Sequence, residues 1–85
     1  MCLAIAVPPL ELMKEEIPSD NIKNAWKDNP DGAGFAYVKD GEVIIEKGFL
    51  KQGKLLRAFY KRRKQFKSSF FIVHLRWASK GIVNK

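Results

Sequence analysis

The dipeptide Asp40-Gly41 lies between GFAYVK (34–39) and EVIIEKGF (42–49), two stretches rich in aromatic and β-branched residues. A two-residue type I′ turn needs positive φ at both central positions, and Asp followed by Gly supplies them at little steric cost. Such a turn joins only antiparallel neighbours in tight register. At least part of any sheet built by this chain must therefore be a hairpin, and every other element has to fit around it.

Residues 2–7 (CLAIAV) form an apolar run closed by Pro8-Pro9, which fits a short buried strand. The segment 8–18 holds three of the four prolines and reads as loop, with a turn of helix near Leu12 and Met13. Ser19 or Asp20 then caps a helix in which Ile22, Ala25 and Trp26 recur at helical spacing. Asp28-Asn29-Pro30-Asp31-Gly32 ends it, because Pro30 lacks a backbone donor and Gly32 allows positive φ. Residues 53–67 give an amphipathic helix with Leu55, Leu56, Phe59 and Tyr60 as its apolar stripe. A last strand begins at Phe70 and runs through Phe71, Ile72 and Val73 into HLRWASKG. The order β-α-β-β-α-β predicts an α+β fold with a largely antiparallel sheet.

With 85 residues, this is at most one small domain, and folding hides only roughly 60–65% of the surface its unfolded form exposes. A hydrophobic content of 46% with 12% aromatics excludes a disordered chain. No apolar run approaches the roughly 18 residues needed for a membrane-spanning helix. The opening MCLAIAVPPL lacks a basic leader and breaks at Pro8, so it makes a poor secretory signal. One cysteine forms no internal disulfide, and a cytoplasmic location is the expectation. A sheet ending at Asn84-Lys85, straight after its last apolar element, would leave one face and one edge open. Either the terminus is disordered, or residues 1–85 are the front part of a larger domain or need a partner, and the second is expected.

The net charge of +7 is local. Residues 51–67 carry eight basic side chains and no acid, whereas the remainder holds eight basic and nine acidic residues. Only that segment argues for an acidic partner. Lys54, Arg57, Lys61, Arg62, Arg63 and Lys64, interleaved with Phe59, Tyr60 and Phe66, suit phosphate contacts with base stacking. The alternative is a solvated helix face, and no helix-turn-helix, zinc finger or RNP motif accompanies it.

Three further elements bear chemistry. Cys2 follows Met1 directly, so methionine removal would leave a thiol and a free α-amine on one carbon. That amine, with a pKa of about 7.7–8.0, is a base for its own side chain; a small buried hydrophobe is the other reading of this cysteine. Asn29-Pro30-Asp31-Gly32-Ala33-Gly34 runs into a strand and is otherwise a helix stop and turn, without phosphate-loop spacing. In His74-Leu75-Arg76-Trp77-Ala78-Ser79-Lys80-Gly81, strand alternation sets His74 and Arg76 on one side, Leu75 and Trp77 on the other. The Arg76 fork suits a carboxylate or phosphate, or an internal acid. His74 is the single histidine, so no metal cluster is expected.

Taken together, Cys2, PDGAG and HLRWASKG in this order resemble the class II glutamine amidotransferases, whose glutaminase domain begins MCGI and carries RG-x-D-S-A-G and HTRWATHG. The resemblance spans essentially the whole chain but only the front portion of that domain. It implies the N-terminal part of an Ntn-hydrolase-type αββα sandwich, acting on glutamine with no cofactor. By position it makes Cys2 the nucleophile, forming a γ-glutamyl thioester and releasing ammonia. Arg76 would grip the glutamine α-carboxylate with Trp77 and Ser79, while Asp31, Gly32, Gly34 and His74 shape the site. Leu3 and Lys80 depart from the pattern, replacing a glycine and a histidine. The family's Asn-Gly oxyanion element and amino-binding Asp have no counterpart within these 85 residues. A non-catalytic assembly piece with the same fold is a third reading.

Overall fold

Asp40 and Gly41 adopt φ of 51° and 80°, the pair of left-handed conformations that a type I′ turn requires. They join β2 (Ala33–Lys39) to β3 (Glu42–Phe49) in a computed structural model that describes residues 2–76. The remaining elements are β1 (Cys2–Val7), α1 (Ser19–Asp28), α2 (Gln52–Gln65) and β4 (Phe71–Arg76), with a 3-10 turn at Leu10–Leu12. The sheet order is β1-β4-β2-β3 and each neighbouring pair is antiparallel. The described residues form a small α+β domain with a four-stranded antiparallel sheet and two helices. Among the described residues, no helix is long and apolar enough to cross a membrane.

Alternation along β4 buries Phe71, Val73 and Leu75 and exposes Ile72, His74 and Arg76. Phe35 and Tyr37 of β2 join the buried set, and Ile22, Leu55 and Phe59 close over them from the helices. Phe59 meets Phe35 and Phe71 edge-on, with both centroid separations at 5.7 Å, a favoured geometry for aromatic quadrupoles. Both helices lie on this one face.

Several boundaries differ from the sequence reading. Neither Ser19 nor Asp20 caps α1: Pro18 holds the cap position, and no side chain bonds to the free amides. Its extended ψ of 140° starts the helix one residue earlier, leaving Asp20 in the first turn, where the helix dipole favours a carboxylate. At the other end Asn29 is buried, its Nδ2 donating to the Ala25 carbonyl at 3.1 Å. Helix α2 stops at Gln65, because Phe66 turns out of it to stack on Tyr37 at 5.1 Å. Strand β4 starts at Phe71, and Phe70 faces outward. Ser69 fills the gap: its Oγ accepts the Val38 amide at 2.8 Å, continuing the β2 edge beyond the last residue pair.

The largest correction concerns Arg63. Expected on a solvated basic face, it is fully buried. Its Nη1 donates to the Pro8 carbonyl at 2.6 Å and its Nη2 to Glu16 at 2.8 Å, while the guanidinium lies 5.3 Å from the Phe71 ring centroid. Tyr60 Oη donates to the Ile17 carbonyl at 2.7 Å, and the Glu11 amide to the Lys67 carbonyl at 3.1 Å. Residues 8–18 contain little regular structure of their own, so these bonds from α2 and its C-terminal end hold them against the core. Arg62 is also engaged, donating to Glu46 at 2.7 Å beside the Tyr37 hydroxyl, which donates to the same oxygen at 2.8 Å.

Candidate active site

Arg76 ends the strand that runs between β1 and β2, and its backbone is held from both sides. In the β1–β4 ladder it stands opposite Cys2. Across the strand its amide donates to the Gly32 carbonyl and its carbonyl accepts the Asp31 amide, both at 2.8 Å. The three motifs, separated in the chain by about 30 and about 45 residues, therefore converge at one end of the sheet. Their adjacency follows from the insertion of β4 between the first strand and the hairpin.

On the uncovered face the convergence opens into a groove of about 450 Å³. Asp31, Gly32, Gly34, His74 and Arg76 line it, and Ile45, Leu50 and Ile72 add apolar walls. His74 and Arg76 are both exposed here, as alternation required. Gly34 forms the floor for a steric reason. A Cβ at that position would stand 2.7 Å from the Glu46 carbonyl oxygen and 2.9 Å from Lys47 Cα, where β2 and β3 draw together at a bulge. Its missing side chain also leaves the space between His74 and Lys47 open, since Gly34 pairs with both. Gly32, at φ 128°, occupies backbone space that L side chains rarely enter, and it lets the Asp31 and Arg76 amides face each other's strand.

Lys47 was not singled out from sequence. Counting outward from the Asp40-Gly41 turn pairs Lys39 with Glu42 and, five steps on, Gly34 with Lys47. That register signal places an ammonium in the same cross-strand row as His74. Lys47 and Arg76 make the charged lining of the groove predominantly cationic, with Asp31 as its acid. A small anionic or zwitterionic ligand is what this lining can hold: a guanidinium fork for a carboxylate, a carboxylate for an ammonium, and short apolar walls for an aliphatic stem. Among the described residues, no group of three or more His, Cys, Asp or Glu side chains gathers to hold a metal ion. Trp77 and Ser79 lie outside the described residues.

No protein-family profile and no solved structure matches the chain. It is similar to an uncharacterized protein of Methanocaldococcus jannaschii, with 32% identity over 81 residues. That alignment takes in 95% of this chain but spans only 23% of the archaeal protein's length.

Proposed function

We propose that this chain forms the nucleophile-bearing part of a class II glutamine amidotransferase, with Cys2 attacking glutamine and Arg76 holding it. The observation that carries this reading is the pairing of Cys2 with Arg76, with the Asp31-Gly32 turn hydrogen-bonded to the far side of Arg76. The family's motifs require those three segments to share one site, and nothing in their sequence spacing alone brings them together.

With Met1 removed, the α-amine of Cys2 takes the thiol proton, directly or through a water, and sulfur attacks the γ-carboxamide carbon of glutamine. The C–N bond breaks, nitrogen leaves as ammonia with that proton, and a γ-glutamyl thioester remains. Water then adds to the thioester carbonyl, a proton returns to sulfur, and glutamate departs. Arg76 receives the α-carboxylate in its planar fork, while Trp77 and Ser79 complete the pocket by the resemblance. The uncovered face beyond the groove, with Ala4 and Ala6, is where the second sheet of an αββα sandwich would pack. A reducing cytoplasm suits a reactive lone cysteine.

The test uses a full-length protein carrying this sequence, purified from its native source. Intact mass is expected to show Met1 removed and the amine unblocked, and a diazo-ketone analogue of norleucine is expected to label Cys2. Cys2→Ala should abolish glutamine hydrolysis while leaving the melting transition in place. Retained Met1, an acetylated terminus, or glutamine hydrolysis surviving in Cys2→Ala overturns the assignment.

A further inference from the structure

Helix α2 sorts its basic residues into two kinds. Arg62 and Arg63 are neutralised by Glu46 and Glu16 and drawn toward the body of the domain. Lys54, Arg57, Lys61 and Lys64 are all exposed. At 3.6 residues per turn these four fall within an arc of roughly 80°, and at 1.5 Å per residue they extend over about 15 Å of helix. Residues 51–67 contain no acid to offset them. A shallow cleft of about 270 Å³ runs along the stripe between Lys54, Arg57 and Lys61.

From this stripe we infer a surface that binds the phosphate backbone of nucleic acid without reading sequence. Successive cations stand about 4.5–6 Å apart along the axis, a rise that follows from their spacing of three or four residues. Duplex DNA offers a phosphate every 3.4 Å per strand, so several contacts form at once on a rigid support. The apolar side of α2 is already spent. Leu55 and Phe59 are buried, Leu56, Ala58 and Tyr60 pack against the core, and Phe66 is stacked on Tyr37. The stacking role expected for Phe59, Tyr60 and Phe66 is thereby removed, and with it a route to base recognition.

The same fact separates nucleic acid from the other polyanions. A helix that binds membranes needs an apolar face to insert, and α2 exposes none. Protein interfaces are anchored on aromatic and aliphatic groups and are depleted in lysine, the residue that dominates here. With the chain outside residues 51–67 at a net charge of −1, the net positive charge that attracts a polyanion comes from the segment that carries this helix.

The surface is independent of the glutaminase reading, since none of its residues touches the groove. Binding of the full-length protein to a mixed-sequence duplex of about 20 base pairs, followed by fluorescence polarisation, is the test. Four neutralised phosphates predict a slope of log affinity against log salt of about −3.6, or an affinity loss of about 150-fold between 50 and 200 mM salt. Two duplexes of unrelated sequence should bind equally. The fourfold variant K54Q/R57Q/K61Q/K64Q should lose binding at 50 mM salt while keeping its melting temperature and any glutamine hydrolysis. No duplex binding by the unaltered protein at 50 mM salt overturns the inference, as does an unchanged slope in a folded fourfold variant. So does tighter binding to phosphatidylserine vesicles or polyglutamate than to the duplex, or a marked preference for one duplex sequence.

Discussion

The two faces of the sheet are made by the same strands yet differ in nearly every respect. The face beneath the helices carries Phe35, Tyr37, Phe71, Val73 and Leu75, packed around Phe59. The other face carries Ala4, Ala6, Gly34, Ala36 and the polar pair His74 and Arg76. Large rings on one side make stability, and on the other the small or absent side chains at Ala36 and Gly34, set among Ile45, Ile72 and Lys47, leave room for a ligand above the backbone. One strand serves both purposes because its side chains alternate, and β4, flanked on both sides, does so most fully.

The sharpest way to break this contrast is in the aromatic cluster. Phe59→Ala should cost about 3–5 kcal/mol, a large part of the stability of so small a domain, and denaturant titration would measure it. A loss below about 1 kcal/mol would show that the covered face is not the source of stability.

Two arginines sharpen the comparison further. Arg63 is buried on the helical side and paired with the half-buried Glu16, and Arg63→Ala takes the donor from the Pro8 carbonyl and leaves Glu16 only the Ile17 amide. The expected cost is about 3 kcal/mol. Arg76 is exposed on the open side, so Arg76→Lys should shift the melting temperature little. On the proposed glutaminase reading, the same substitution in the full-length protein keeps the charge but loses the fork. A penalty of about 1.5–3 kcal/mol then appears as a roughly 10–150-fold fall in kcat/KM for glutamine, mainly through KM. A destabilised Arg76→Lys with unaltered KM would reverse the roles assigned to the two faces.

The smallest effect concerns pH. Burial, reinforced by the hydrogen bond and charge of Glu46, raises the Tyr37 hydroxyl above its ordinary pKa, and burial together with the Glu16 charge raises Tyr60. The unfolded chain therefore ionises first as pH climbs past about 10. The contribution of both tyrosines is fully present below that pH and is lost as pH rises through their folded values. Melting temperatures across this alkaline range should fall less steeply for Tyr37→Phe than for the unaltered protein. An identical fall would remove Tyr37 as a cause.

Much of the fold was legible in order. The hairpin, the strand 2–7, the helical stripe of Leu55, Leu56, Phe59 and Tyr60, and the parity of His74 and Arg76 all depend on residues within a few positions of one another. The errors were of the same local kind but turned on competition between near-equal options. Pro18 displaced Ser19 and Asp20 at the start of α1, and Phe66 left the helix because Tyr37 offered it a ring. Of the residues named from sequence, Asp31, Gly32, Gly34, His74 and Arg76 line the groove, Cys2 pairs with Arg76 in the sheet, and Trp77 and Ser79 lie outside the described residues. The register counted from Asp40-Gly41 would have added Lys47.

What the sequence alone determined is thus the set of elements, their turns and which side of each strand is apolar, since periodicity and turn chemistry act over short range. Two matters were decided only in three dimensions. One is that β4 lies between β1 and β2, bringing Cys2 and the Asp31-Gly32 turn to opposite sides of Arg76. The other is the fate of the basic residues of α2. Lys61, Arg62, Arg63 and Lys64 are consecutive and alike in charge, yet Arg62 is paired with Glu46, Arg63 is buried and paired with Glu16, and the two lysines face solvent. Glu16 and Glu46 lie far from them in the chain, and a partner supplied across such a distance leaves no mark on local sequence.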